Sequence, residues 1–475
     1  MSAFKTALDL QRRLLSILSS ARNPLINPLN SSLALIWTIT AATTMLQAAN
    51  GLLQALMPLR MQAEGFSVSA IGVVAAAYGL GFSTGCFIAP AFIRRVGYIR
   101  AFSSLAAIAA VLVLGMTQAH SALAWALLRG LTGVTLACIF TVTDGWISAR
   151  ATSSHRGRIL SIYMICTKVA LMLSPLGIGF GDIRTDGLFM AISAGMTLSL
   201  LPIAATTTQE PPAPQGVRIN VRGLFAAAPS AVVGAFVVGL INGPVIAITP
   251  VFGVSIGLSQ DKAAALLFAL QAGSLLMQWP LGWLSDRSDR RYVIAALAAG
   301  TSLISLLILL VSGQGAQMLV LLSFAVWGGL ALCIYSVCVA HACDIVDPGQ
   351  IISTVGTLLF SWAAGVTVGP LFGAGAMELL GPKGLFIYSA LVSLGLTAFI
   401  LVRIAQVRRP AAKGGFAAVA PTSTASAALT PLVERNTASQ GSAADGQPRD
   451  EASGAEGAEQ AVQRESPATR VETSS

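Results

Sequence analysis

The chain is 475 residues long, 55% of them hydrophobic and only 10% charged, with a net charge of +9 and a mean hydropathy of +0.74. A soluble globular domain carries about 25% charged residues, so the composition excludes a water-facing globule. A nucleic-acid binder is excluded as well, because the basic excess forms no patch and is spread over alternate loops between apolar runs.

Residues 1–32 contain Lys5, Arg12, Arg13 and Arg22 but no compact apolar core followed by a small-residue cleavage site. They are expected to form a basic cytoplasmic arm on the membrane surface and not a signal peptide. Twelve apolar stretches follow, at 33–57, 68–92, 101–119, 122–147, 158–180, 187–206, 225–250, 263–284, 292–311, 316–341, 350–376 and 384–403. Each approaches the roughly 20 residues that cross about 30 Å of hydrocarbon as a helix. Barrel strands would instead alternate over about ten residues. The expected fold is an all-α membrane protein of twelve transmembrane helices. Glu210-Pro211-Pro212-Ala213-Pro214 interrupts the series, predicting six-helix bundles at 33–206 and 225–403 joined by a cytoplasmic linker at 207–224. The end of the chain, 404–475, runs into Ala, Ser, Gly, Thr and Glu with almost no aromatics. So little apolar surface does not offset the entropy of ordering, and a disordered cytoplasmic tail is expected.

Lys and Arg gather in the N-terminal arm, in the loops after the second, fourth, sixth and eighth spans, and at 403–413, whereas the other loops hold only Arg60, Arg184, Lys262 and Lys383. The positive-inside rule then places both termini in the cytoplasm, and the membrane is expected to be the cell inner membrane. The six cysteines form no Cys-x-x-Cys pair and no Cys/His ligand pattern, so they read as packing residues and no metal or cofactor is expected.

The two bundles carry one register. Asn50-Gly51 recurs as Asn242-Gly243, Pro58 as Pro250, Gly65-Phe66-Ser67 as Gly257-Leu258-Ser259, Gly81 as Gly273 and Arg95 as Arg287, all 192 residues apart. The prolines of Ser174-Pro175-Leu176-Gly177 and Gly369-Pro370-Leu371-Phe372-Gly373 are 195 apart, as one short insertion would produce. An even number of spans per repeat gives both halves the same orientation.

Between the eighth and ninth spans stands Gly282-Trp283-Leu284-Ser285-Asp286-Arg287-Ser288-Asp289-Arg290-Arg291. It resembles the cytoplasmic signature of the major facilitator superfamily, Gly-x-Leu-Ala-Asp-Arg-x-Gly-Arg-Arg, with Asp289 where the family prefers Gly. The resemblance, joined to the parallel duplication, covers about residues 33–403. It implies a transporter in which the signature acid sits on the positive N-terminal end of a helix from the other half and helps hold the cytoplasmic side shut. Asp286, Arg287, Arg290 and Arg291 are the gate residues so implied, with Asp286 facing the start of the fifth span near Arg156 and Arg158. In the first half the copy is degraded: Pro90, Arg94, Arg95 and Gly97 stand there, and Arg94 reverses the charge of the acid. Arg129-x-x-x-Gly133 in the fourth span resembles the family element whose Arg is associated with coupling in proton-coupled relatives.

Charges inside spans are costly and mark function. Arg129, Asp144 and Lys168 are therefore the coupling and substrate candidates, and a depth-matched lysine–carboxylate pair would bind a proton or a substrate charge. His341 and Asp344 read as the end of the tenth span. The spans that line the cavity in this family offer the amides Gln47, Asn50, Gln54, Asn242, Gln271 and Gln278 and the aromatics Trp37, Trp125, Trp279, Trp327, Tyr335 and Trp362. Amides supply paired donors and acceptors and aromatic faces stack on rings. The expected solute is a neutral or weakly charged, ring-bearing metabolite, vitamin-like (for example a flavin) or sugar-like, carried by alternating access with or without protons. Gly365-x-x-x-Gly369-Pro370 resembles a motif of drug–proton antiporters but lies in the eleventh span and not the fifth, so uptake is favoured over drug efflux. No Walker-type phosphate loop and no catalytic constellation is present. The expectation is a monomeric, non-enzymatic secondary transporter whose partners are its solute, protons and the lipid bilayer. The alternatives are a drug–proton antiporter, a membrane-embedded enzyme and a non-transporting sensor.

Overall fold

The computed structural model describes residues 28–150, 156–204, 219–313 and 315–406, without the side chains of 28–35, 148–150, 156–158 and 348. Most of the basic arm, most of the 207–224 linker and residues 407–475 lie outside the described residues. Among the described residues every regular element is helical. The long helices are α1 Pro28–Ala63, α2 Val68–Val96, α3 Tyr98–Met116, α4 Ala122–Arg150, α5 Arg156–Leu173 and α6 Gly187–Leu198 in the first half. The second half holds α7 Pro229–Ser255, α8 Gln260–Arg287, α9 Arg290–Val311, α10 Gln317–Cys343, α11 Ile351–Leu380 and α12 Gly384–Gln406. The fifth expected span is a composite, because α5 tightens into a 3-10 turn over Ser174–Phe180 where Pro175 removes a backbone donor. A short helix, Val221–Ala227, occupies the end of the expected linker, and α12 runs three residues into the expected tail.

Among the described residues, eleven helices are long and apolar enough to cross a membrane. α1 also has the length to span, and carries Thr40, Thr43, Thr44, Gln47, Asn50 and Gln54 along an otherwise apolar run. It packs in the bundle against α5 and α6. Large apolar side chains point outward all round the molecule, Leu123 on α4 and Leu276 on α8 at 70% and 73% exposure among them. Such a belt is stable only against hydrocarbon.

The two halves repeat their contacts. In the first half α1 packs on α5, α2 on α4 and α3 on α6; in the second, α7 packs on α11, α8 on α10 and α9 on α12. The turns repeat as well. Phe66 N–H donates to Met61 C=O at 3.0 Å across Gly65, and Leu258 N–H donates to Gly253 C=O at 3.0 Å across Gly257. This is the Schellman helix end, which places a residue at positive φ; Gly65 has φ 86° and Gly257 φ 89°. The matched Gly-apolar-Ser triplets of the sequence are thus a helix stop, its apolar cap and the N-cap of the next helix, Ser67 or Ser259.

Glycine also sets the helix spacing. A Cβ on Gly81 of α2 would lie 1.9 Å from the Gly130 carbonyl oxygen of α4, and one on Gly273 of α8 1.7 Å from that of Ala325 of α10. Where α7 meets α11, a Cβ on Gly365 would lie 2.1 Å from the Phe236 carbonyl oxygen and one on Gly369 2.6 Å from that of Leu240. The Gly-Pro stretch of α11 therefore serves close packing, on α7 within its own half and, with the Pro370 carbonyl oxygen 2.7 Å from a Cβ on Gly72, on α2 of the other.

The halves meet along two seams. One is α2 against α11, where a Cβ on Gly72 would lie 2.4 Å from the Ala374 Cβ and Phe87 meets Phe360 edge-on at 5.6 Å. The other is α5 and its 3-10 turn against α8, and α1 also touches α7. The molecule has a basic face, bearing Arg94, Arg95, Arg287, Arg290 and Arg291, and an opposite face bearing the α1–α2 and α7–α8 turns. At the opposite face the halves are joined by hydrogen bonds: Ser69 N–H donates to Glu378 Oε2 at 2.8 Å, the Ser69 hydroxyl donates to the same oxygen, and Gln62 Nε2 donates to Ser255 Oγ at 3.5 Å.

Candidate solute site and ion-pair cluster

Of the sequence-selected polar residues, Asn50 of α1 and Asn242 of α7 are both buried, on the two helices that meet between the halves. Asn50 Nδ2 donates to Gln47 Oε1 at 3.3 Å, while the Oδ1 atoms of Asn50 and Asn242 accept no hydrogen bond among the described residues. Gln54 and Gln271 are partly buried.

Arg129 of α4 is 5% exposed. Its guanidinium lies over the ring of Tyr78 on α2, 4.1 Å from the centroid, a cation–π arrangement strengthened by exclusion of water. Gly133 makes this possible, since a Cβ there would lie 2.4 Å from the Tyr78 carbonyl oxygen. The Arg-x-x-x-Gly spacing thus brings α2 close enough to put Tyr78 under the arginine. Among the described residues the Nε and Nη1 atoms of Arg129 have no hydrogen-bond partner.

Lys168 of α5 bridges the halves. Its Nζ donates to Ser274 Oγ and to Gln278 Oε1 of α8, both at 3.1 Å. Asp144 is 2% exposed and accepts from the Tyr163 hydroxyl at 2.9 Å. The expected lysine–carboxylate pair is therefore not formed: Lys168 bonds to Ser274 and Gln278 of α8, while Asp144 accepts from Tyr163, a turn and a half before Lys168 on α5.

The aromatic set divides. Trp37 and Trp279 are 57% and 78% exposed and stand apart from the buried rings. Trp125 packs on Phe189, and Trp327 donates from Nε1 to Ser305 Oγ at 2.9 Å inside the second half. Tyr335 of α10 and Trp362 of α11 remain, with ring centroids 6.1 Å apart. The Tyr335 hydroxyl and the Trp362 Nε1 are buried and make no hydrogen bond among the described residues.

At the basic face the signature residues form a cluster within the second half. Arg290, with only 3% of its side chain exposed, donates from Nε to Asp344 Oδ2 at 2.6 Å. It also donates from Nη1 to Ser285 Oγ at 3.2 Å and from Nη2 to Asp286 Oδ1 at 3.5 Å. Asp286 keeps 40% of its side chain exposed. Arg291 pairs with Asp289 at 2.8 Å, and Arg287 lies 4.0 Å over the Trp283 ring. Partial burial works to raise the pKa of Asp289, but the hydrogen bonds and charge of Arg291 outweigh it and hold the carboxyl below its ordinary range. Asp289 also caps α9, accepting from the Arg291 N–H, which explains an acid where the signature has Gly. The principal partner of Arg290 is Asp344, read in the sequence only as a helix end. The side chains of Arg156 and Arg158, expected opposite Asp286, lie outside the described residues.

Sequence reasoning missed Tyr78, Tyr163 and Asp344 as partners. Ser274 and Gln278, four residues apart and so on one face of α8, carried a legible signal for a shared cation.

The model of the Major Facilitator Superfamily matches the chain twice, over residues 39–230 and 231–438. The chain belongs to the major facilitator superfamily. This MFS transporter is 25% identical over 380 residues to an MFS-type transporter of Escherichia coli, YcaD, covering 79% of this chain and 98% of YcaD. Its fold is shared with a crystal structure of the nucleoside transporter NupG, at a TM-score of 0.65 and 12% identity over 79% of this chain and all of that one. A D-xylose–proton symporter has a TM-score of 0.58 at 15% identity, covering 78% of this chain and 96% of its own. The double match bears out the parallel duplication, and the MFS transporter is a multi-pass membrane protein.

Proposed function

We propose that the transporter takes up a small, ring-bearing, hydrogen-bonding organic solute across the inner membrane by alternating access, as a monomer with both termini in the cytoplasm. The observation that carries this reading is the Tyr335–Trp362 pair, two aromatic faces with unused buried donors. Asn50 and Asn242 add unused acceptors on α1 and α7. Nucleosides and D-xylose, the solutes named for two structural relatives, are also ring-bearing. The Gly-Pro stretch of α11 is accounted for by packing against α7, which removes the main argument for drug efflux.

In this reading the basic face is cytoplasmic, and the Ser69–Glu378 bonds close the outer side. Asp286, Arg287, Arg290 and Arg291 form the inner gate, with Asp286 engaging the N-terminus of α5 when that side closes in its turn. Protons couple through Asp144, whose buried carboxylate is held by Tyr163.

The test is uptake into proteoliposomes of labelled nucleosides, pentoses, flavins and aromatic acids, with and without an imposed proton gradient. Saturable uptake of a ring-bearing solute, impaired by Trp362→Ala, is the expected result. Flux of acyclic solutes only, or of none, would overturn it. Accumulation indifferent to the gradient would remove Asp144 from the coupling role.

A further inference from the structure

Among the described residues, two cations in the interior of the first half have no carboxylate partner. Lys168 bonds to a hydroxyl and an amide oxygen, and Arg129 to a tyrosine ring. Among the described residues no carboxylate pairs with either: the ion pairs of Arg60, Arg290 and Arg291 lie at the two faces, and Asp144 is bonded by Tyr163. Removing a charge from water is costly unless an opposite charge repays it, so an unneutralised cation at mid-depth is a place for an anion.

Its position makes Lys168 more than a static charge. An ammonium has three donors and no acceptor; two are spent on Ser274 and Gln278, and both of those belong to the other half. An anionic oxygen arriving at Nζ forms a stronger, charge-assisted bond than either neutral acceptor provides, and so competes directly with a contact that holds α5 to α8. Arg129 shares a face of α4 with Thr143, two heptads away, and Thr143 lies 3.4 Å from the Tyr163 hydroxyl of α5. At 1.5 Å of rise per residue, Arg129 stands about 13 Å further toward the opposite face than Lys168. The two cations are successive stations along the axis.

We propose that the transported solute is an organic monoanion, a ring bearing a carboxylate or an equivalent oxyanion, whose charged group binds Lys168 Nζ by displacing Ser274 and Gln278. This rests on the reading of the chain as a transporter of ring-bearing solutes and specifies the charge of the solute. Binding and conformational change are then linked by one atom: the solute takes the donor that otherwise ties the halves together. Arg129, with Nε and Nη1 unused, receives the anion nearer the opposite face.

The test uses full-length protein in lipid nanodiscs and matched pairs that differ in charge alone: benzoate against benzamide, nicotinate against nicotinamide, and salicylate against salicylamide. Binding is read by the shift of the thermal unfolding midpoint. The acid of at least one pair is expected to stabilise the protein while its amide does not. Lys168→Gln should weaken that binding roughly ten- to a hundredfold, the worth of a charge-assisted hydrogen bond, and Lys168→Arg should restore part of it. Ser274→Ala removes a competing acceptor and is expected to tighten binding several-fold, an outcome that a merely structural bridge would not give. Stabilisation by amides equal to that by acids, acid binding indifferent to Lys168→Gln, or no response to any acid would overturn the proposal. If an amide binds and is also taken up by proteoliposomes, the transporter reading stands and only the charge assignment falls. If acids bind but neither they nor the amides cross, the transporter reading fails instead.

Discussion

The α2–α4 pair and the α8–α10 pair are the same contact made twice with different chemistry. Tyr78 and Leu270 are 192 residues apart, Gly133 and Gly328 195, and the two glycines approach the carbonyls of those residues at 2.4 and 2.1 Å. By that register Arg129 corresponds to Phe324, which packs on Phe252 and Phe386. Nearer the basic face the exchange runs the other way. Tyr98, stacked by Trp146 in the first half, corresponds to Arg290, and Trp146 to His341. Close backbone approach fixes which residue types are tolerated at the glycines, while the side chains facing them are free to diverge. The duplication preserves the spacing of the helices, while the buried arginines Arg129 and Arg290 stand at different depths.

The strongest way to break this comparison is to fill the spacing. Gly273→Leu and Gly81→Leu each force a side chain into a backbone carbonyl. Each is expected to cost about 3 kcal/mol or more, seen as loss of folded protein in the membrane fraction. A folded Gly81→Leu variant beside an unfolded Gly273→Leu variant would show that the two contacts are not equivalent. Next comes the charge placed at the basic face. Asp344→Asn strands Arg290 beside Ser285 and the more distant Asp286 and is expected to cost about 3 kcal/mol in thermal unfolding. A loss below about 1 kcal/mol would mean that the Asp344 pair is not what holds Arg290.

At the other depth, Arg129→Ala is expected to cut solute flux about a hundredfold, equivalent to roughly 2.7 kcal/mol, while Phe324→Ala lowers stability and spares binding. Reversal of that pattern would place the working charge in the wrong half. The smallest effect belongs to the helix caps. Gly97 opens α3 without a side-chain cap, whereas Asp289 caps α9, so Asp289→Ala should cost about 1 kcal/mol. Because the folded-state pKa of Asp289 is depressed, its contribution is present above the unfolded carboxylate pKa and is lost as pH falls through the lower folded one. A wild-type minus variant stability difference that is flat across that acidic window would contradict the assignment.

The scaffold was legible in the sequence because its requirements select residue types at fixed positions. Gly65 and Gly257 adopt positive φ, and Gly81 and Gly273 meet a backbone, so each leaves the same letter at the same offset. The site was legible only as a set of candidates. Arg129, Lys168 and Asp144 stand out as charges in apolar runs, but their partners Tyr78, Ser274, Gln278 and Tyr163 follow from how helices are rotated about their axes. Composition does not record rotation. Neighbours on α8 illustrate this: Gln278 turns to Lys168 in the seam, while Trp279, one residue on, is 78% exposed.

The α2–α11 seam has a kinetic consequence. Between the Ser69–Glu378 bonds and the Phe87–Phe360 contact, its closeness near Gly72 and at Gly79, where a Cβ would lie 2.9 Å from the Thr367 Cα, means that its middle is held by short-range contact between small groups. A radial gap of about 0.5–1 Å already forfeits a quarter to a half of such attraction. That seam is therefore either shut or open, with an unstable middle, and its parting is an activated event with a waiting time of its own. Turnover can then be slowed or hastened by residues that no solute ever touches.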